Sequence, residues 1–133
     1  MLTTRSLGQH AETEALKHLK VNGCQLIISN YNTKGGEIDL IVDDSGVLVF
    51  VEVRFRHKTT RGSGAETVTA QKIRKIIRTA KHFLATHKHY QNAPCRFDVV
   101  SMSTLKITSS NDSVNYSANY SIDWIKRAFT LDT

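Results

Sequence analysis

Two adjacent segments alternate apolar with charged residues, and they constrain the fold more than any other part of the chain. Gly36-Glu37-Ile38-Asp39-Leu40-Ile41 is followed, across Asp43-Asp44-Ser45-Gly46, by Phe50-Val51-Glu52-Val53-Arg54. A period of two marks strands with one buried and one polar face. Ile38, Leu40 and Val42 are expected on one face of the first strand, with Glu37 and Asp39 on the other. Val47, Val49, Val51 and Val53 are expected on one face of the second, with Phe50, Glu52 and Arg54 opposite. The intervening Asp43 to Gly46 has the composition of a hairpin turn. Burying both apolar faces on one side brings the two polar faces together. A two- or four-residue loop centred on Asp44-Ser45 sets Asp39 opposite Phe50 and Glu37 opposite Glu52. Asp39 and Glu52 then become diagonal neighbours, roughly 7–8 Å apart.

Two carboxylates aimed at one spot repel unless something positive sits between them. A divalent cation suits that place, since Mg²⁺ is usually held by one or two carboxylates together with water and phosphate oxygens. The same residues also suit a solvated sheet face whose acids and arginines pair locally. Both readings stand at this point.

At 133 residues the chain makes one domain with a real core. No apolar run approaches the roughly 20 residues that span a bilayer, and Met1 to Gly8 lacks the apolar centre of a signal peptide. Cys24 and Cys95 have no paired-motif spacing and read as reduced residues of a cytoplasmic protein, with a single bond between them the alternative. The net charge of +6 is unevenly spread. From Arg54 to Arg96 lie eleven of the eighteen lysines and arginines against one acid, Glu66. Such a field favours polyanions, most simply nucleic acid, with salt-sensitive and largely sequence-independent binding. A solvated basic helix beside a polar loop gives the same composition.

Leu7 to Val21 reads as a helix with Leu7, Ala11, Ala15 and Leu19 on its apolar stripe, Ser6 as cap and Asn22-Gly23 as stop. Cys24 to Tyr31 reads as a strand, and Lys34-Gly35-Gly36 turns it into the hairpin. His57 to Glu66 reads as a basic glycine-containing loop. Thr69 caps a second helix whose stripe is Ile73, Ile76, Ile77, Ala80 and Leu84, with Arg74, Arg78 and Lys81 on the far side. A strand follows over Arg96 to Met102. Thr104 to Ser121, rich in Ser and Asn, reads as a loop or edge-hairpin insertion, and Ile122 to Phe129 as a short closing helix. A mixed sheet with a helix on each face is the economical arrangement of these elements.

In that order the chain resembles the restriction-endonuclease-like superfamily, whose core is αβββαβ and whose motif is PD-(D/E)xK. Within it the chain closely resembles the YraN family of small bacterial proteins. The matching residues are Gly8, Glu12, Gly23, Gly36-Glu37-Ile38-Asp39-Leu40-Ile41, Phe50-Val51-Glu52-Val53-Arg54-Phe55-Arg56, Lys72, Arg96-Phe97-Asp98-Val99-Val100 and Trp124-Ile125-Lys126-Arg127-Ala128-Phe129. An ordered set of this length is more specific than a short acid–x–lysine motif.

The resemblance implies a Mg²⁺- or Mn²⁺-dependent nuclease acting on DNA, branched or structured substrates included. Asp39 and Glu52 match the metal-binding acids, with the Val53 carbonyl a third ligand. Glu12 matches a first-helix glutamate that archaeal Holliday-junction resolvases place beside the metal. Glu37 belongs to the family signature and would tune Glu52 or take a second ion. Arg54 stands where the general motif has lysine. A guanidinium neutralises phosphate charge but stays protonated, so it cannot act as a base. Lys72 is then the expected source of an ammonium. Arg54, Arg56, Lys58, Arg61, Lys72, Arg74, Lys75, Arg78 and Lys81 are the expected contacts to the nucleic-acid backbone. Resolvases pair two sites to cut two strands, so a homodimer is the implied assembly. A module that binds nucleic acid without cleaving it, within a DNA-processing assembly, is the second reading.

Overall fold

The computed structural model describes residues 4–56, 68–104 and 120–131. Helix α1 spans Thr4–Val21 and is followed by strands β1 (Gln25–Thr33), β2 (Gly36–Asp44) and β3 (Val47–Phe55). Helix α2 (Ala70–Thr86), a single 3-10 turn at Lys88–Tyr90, and strands β4 (Cys95–Thr104) and β5 (Tyr120–Phe129) complete the chain. The expected αβββαβ order is therefore present, with one additional strand. The strands form one five-stranded sheet in the order β1-β2-β3-β4-β5, antiparallel throughout except for the parallel pair β3 and β4. A parallel neighbour needs a crossover, and α2 supplies it.

Each face of the sheet carries a helix. Ala11, Ala15 and Leu19 of α1 pack with Leu40, Val42, Val49, Val51, Val100 and Met102. Ile76, Ile77, Ala80 and Phe83 of α2 pack with Ile41, Leu48, Phe50, Phe97 and Val99 on the other face. The hairpin therefore has no solvated polar face. The side of β3 bearing Phe50 and Glu52, read from the pattern as the polar one, lies under α2. Glu52 is consequently only 4% exposed.

Local chemistry sets the element ends. Helix α1 stops in a Schellman motif: Gly23 has φ 95, the Gly23 amide donates to the Lys20 carbonyl, and the Cys24 amide donates to the Leu19 carbonyl. Its start at Thr4 puts Ser6 inside the helix, not at the cap. The Thr69 hydroxyl caps α2 by accepting from the Lys72 amide at 3.2 Å. At the β2–β3 turn, Ser45 and Gly46 both have positive φ, 53 and 93, and the Asp43 carboxylate accepts from the Gly46 amide. A two-residue loop of that conformation twists as the strands do. It pairs Asp44 with Val47 and Leu40 with Val51, so continuing the register sets Asp39 opposite Glu52. The expected pairings of Asp39 with Phe50 and Glu37 with Glu52 are thereby corrected, because the loop is centred one position later, on Ser45-Gly46.

The closing segment is a strand and not the expected short helix. Trp124 and Ile125 look like neighbours on a helical stripe, but a sheet covered on both faces can bury adjacent residues on opposite sides. Trp124 packs toward α1 and Ile125 toward α2. An irregularity between Phe97 and Val99, with Arg127 at φ 55, then brings Phe129 over Phe97. Residues 105–119, most of the expected insertion, lie outside the described residues, as does the expected 57–66 loop with Lys58 and Arg61. Both cysteines are free thiols. No helix among the described residues is long and apolar enough to cross a membrane.

Asp98, fully buried on β4, ties β4 and β5 together. The Arg96 Nε donates to both its oxygens at 3.0 and 3.1 Å, the Trp124 Nε1 donates at 2.8 Å and the Arg127 amide at 3.1 Å. Arg96 also reaches Asp44 on the hairpin at 2.7 Å. Removing one partner of such a buried network strands the others. Asp98→Ala is expected to destabilise the fold by about 3–5 kcal/mol. Urea unfolding measures this, and a loss under about 1 kcal/mol would contradict the structural role assigned to Asp98.

Candidate active site

The site begins where β2 and β3 part. Their paired register runs from Asp44–Val47 to Leu40–Val51 and ends there. The next inward-facing amide on β3, that of Val53, donates instead to Asp39 Oδ2 at 2.8 Å. A side chain thus stands in for a ladder carbonyl, and strict alternation fails at this point. Leu40 and Val42 pack toward α1 as expected, but Ile38 packs with the α2 core.

Because the strands separate here, groups from both faces reach Asp39. Glu12, from α1, and Glu52, from β3, both come close enough to Asp39 to act on its carboxyl group. Lys72, at the start of α2, places its Nζ 3.3 Å from Glu52 Oε1. Burial raises Asp39 above the usual carboxylate range, against the Val53 amide and the Lys72 charge. Glu52 is pushed up to about 7, first by burial and then by the Asp39 charge, with Lys72 and Arg54 opposing. Glu12 is also pushed up to about 7, by burial and then by Asp39, with a hydrogen bond from Asn30 opposing. One half-exposed ammonium stands beside three converging acids, and burial is the first cause raising each of them.

A residue absent from the sequence reading completes the group. Asn30 lies on β1 between the Ser29–Leu40 and Tyr31–Ile38 pairs, hence across from Asp39. Oriented as its hydrogen-bond network requires, its amide nitrogen donates to Glu37 Oε1 at 3.0 Å and to Glu12 Oε2 at 3.2 Å. An asparagine in an apolar strand carries no signal in one sequence. In the structure it is distinguished by that bridge and by a left-handed φ of 52.

A model of the family described as "Uncharacterised protein family UPF0102" matches residues 11–102, which include every acid of this cluster. A UPF0102 protein of Acinetobacter baumannii strain AYE is 41% identical over 133 residues, covering 99% of this chain and all of that protein. One from Saccharophagus degradans is 44% identical over 125 residues, covering 94% of this chain and 93% of its own length. The chain belongs to UPF0102.

In this UPF0102 chain Glu12, Asp39, Glu52 and Lys72 come together. Glu37 is exposed, bonds to Asn30 and adds its charge beside Glu12, and does not lie opposite Glu52. Val53 contributes through its backbone. Arg54 sits two residues beyond Glu52 on β3 and acts on its charge. Arg56 follows the end of β3, its amide donating to the Met102 carbonyl at 2.8 Å. Arg74, Lys75, Arg78 and Lys81 are exposed on α2. The stems of Lys75 and Arg78 press on the β1–β2 turn: a Cβ added to Gly36, at φ +152, would lie 3.3 Å from Lys75 Cβ, and one added to Gly35 would lie 3.0 Å from Arg78 Cδ. Among the described residues no three His, Cys, Asp or Glu side chains stand as a ready metal cage. Half-buried Asp39 and buried Glu52 offer hard oxygen donors, and Mg²⁺ is usually held by one or two carboxylates.

The raised acids carry a stability signature. Glu12 and Glu52 keep protons in the folded chain that the unfolded chain releases above its own pKa of about 4.5. Their contribution is complete below that value and lost as pH rises through about 7. Metal-free protein is therefore expected to lose thermal stability between pH 5 and pH 8, roughly the window those pKa values bracket. The double variant Glu12→Gln/Glu52→Gln should show a flatter profile by calorimetry. Parallel profiles for the two proteins would exclude these acids as the cause.

Proposed function

We propose that this UPF0102 chain is a metal-dependent nuclease that hydrolyses phosphodiester bonds in DNA, with Asp39 and Glu52 as the acids that hold the metal. The observation that carries this reading is the convergence of Glu12, Asp39 and Glu52 where β2 leaves β3, with Lys72 at its edge. Perturbed, mutually interacting acids beside a basic surface are what metal-assisted phosphoryl chemistry requires. The resemblance to PD-(D/E)xK nucleases points the same way.

Asp39 and Glu52 would bind Mg²⁺ or Mn²⁺ together with the Val53 carbonyl. The N–H and C=O of one strand residue point the same way, so an amide aimed at Asp39 brings its carbonyl to that side. The ion, when bound, lowers the pKa of a water and polarises a phosphate. Glu12 takes and returns a proton beside Asp39, a task suited by a pKa of about 7. Lys72, paired with Glu52 here, would be free to turn to the phosphate once a cation took its place on the acids. Arg54 adds fixed positive charge on the strand.

The basic flank of α2 that faces the β1–β2 turn would hold the strand entering the site. Lys72, Lys75 and Arg78 recur every three residues and span about 9 Å along the helix, a run of cations suited to a phosphate backbone. Lys34, exposed at that turn, adds a further positive charge nearby. Arg74 and Lys81 lie on a different line of the helix and would contact DNA less directly.

Arg54 in place of the motif's lysine, and Lys72 already paired with Glu52, favour a second reading: a module that binds nucleic acid without cutting it. Incubation with single-stranded, duplex, flap and four-way DNA, and with RNA, in Mg²⁺, Mn²⁺ or EDTA separates the two. Metal-dependent cleavage is expected, reduced at least about 100-fold in Asp39→Ala and in Glu52→Ala. Salt-sensitive binding without cleavage, unchanged in both variants, would select the module.

The track has its own test. Lys75→Ala/Arg78→Ala is expected to lower the slope of log affinity against log salt by about 2, one per phosphate contact. Arg74→Ala/Lys81→Ala should lower it by less. Equal losses would place the DNA across the outer face of α2 and not along the turn.

A further inference from the structure

We infer that Asn30 is a positioning residue of this site, holding Glu12 and Glu37 in place beside Asp39 and so fixing the surroundings of an acid that would hold a divalent cation. The inference rests on the nuclease reading in one respect, that the acids serve a metal.

Three observations meet at this residue. Its place in β1, between the Ser29–Leu40 and Tyr31–Ile38 pairs, sets it across from Asp39. Its backbone has φ 52 inside a strand, a left-handed conformation that asparagine tolerates better than most residues but that an ordinary strand position never requires. Its amide nitrogen bridges two acids from different elements, Glu12 Oε2 on α1 at 3.2 Å and Glu37 Oε1 on β2 at 3.0 Å. The Asn32 side chain donates to the Asn30 carbonyl at 3.1 Å, which steadies the turned backbone.

The physical role follows from the donor count. Asn30 presents two N–H groups and no charge. It holds two carboxylates close together without becoming a competing cation, as a lysine there would. Glu12 is thereby kept against Asp39 while Glu37 is drawn to the same side. Strain kept at one backbone position is a recurring sign of a side chain held for function. Groups that orient metal-binding acids without touching the metal commonly set affinity by 10–100-fold.

Two substitutions divide the amide from the backbone. Asn30→Gly removes the amide and accepts the left-handed φ, whereas Asn30→Ala removes the amide and keeps the backbone cost. Mn²⁺ binding is read from the free-ion electron paramagnetic resonance signal, with Asp39→Ala as the site control, and thermal unfolding is read in parallel. Both variants are expected to bind Mn²⁺ about 10–100-fold more weakly, while only Asn30→Ala loses thermal stability. Wild-type Mn²⁺ affinity in Asn30→Gly would overturn the inference and leave the nuclease reading standing. Absence of any Asp39-dependent Mn²⁺ binding in the wild-type protein would instead remove the metal reading, and this inference with it.

Discussion

A single backbone amide, that of Val53, passes from the β2 ladder to the carboxylate of Asp39, and the architecture of the site descends from that exchange. Had the ladder continued, Asp39 would occupy one face of a closed sheet and meet only α2. Ending the pairing at Leu40–Val51 opens a gap between strands at one end of the sheet. Through it an acid on α1 and a lysine on α2 act on the same side chain, although the two helices lie on opposite faces. The type of turn matters as well. The left-handed pair Ser45-Gly46 sets the register that brings Asp39 level with Glu52, so the conformation of an exposed loop determines the spacing of these two carboxylates.

Two strand aspartates in this fold make an instructive contrast. Asp98 is fully buried and surrounded by donors: a guanidinium, an indole N–H and a backbone amide. It has what a buried carboxylate needs, and it holds β4 to β5. Asp39 receives one backbone amide and otherwise faces two further acids, with the nearest ammonium bonded to Glu52. A group serving only the fold gains nothing from like-charged neighbours. The difference between these two environments is therefore the physical basis on which chemistry is proposed at Asp39 and a structural role is given to Asp98.

Much of this was legible in the chain itself. Helix α2 follows from Thr69 and its apolar stripe, and the stop of α1 follows from Asn22-Gly23, because capping chemistry is local. The helix-on-each-face layering follows from element order. What escaped was whatever depends on a partner strand. The β2–β3 register turned on which two of four turn residues take positive φ, and composition alone allows more than one answer. The Trp124-Ile125 segment was misassigned because adjacent apolar residues suit a helical stripe equally well, and only the two-sided burial of the sheet distinguishes the cases. Asn30 was invisible, since its role depends on acids contributed by two other elements.

The position of the ammonium bears on how such a site would work. A lysine at position 54 would stand on the strand of Glu52, two residues on, with its reach limited by the sheet. Lys72 instead comes from the first turn of α2, beside the Thr69 cap, and is 45% exposed while Glu52 is 4% exposed. One end of this pair is therefore anchored and buried and the other is a flexible stem in partial contact with solvent. Cations that compete for Glu52 displace the mobile partner first, because moving Lys72 outward costs little desolvation whereas baring Glu52 without a counterion costs much. Arg54, fixed on the strand, stays as the permanent positive charge. Under the proposed function, the division between a guanidinium on the strand and a displaceable ammonium would give the site one cation to keep and one to exchange.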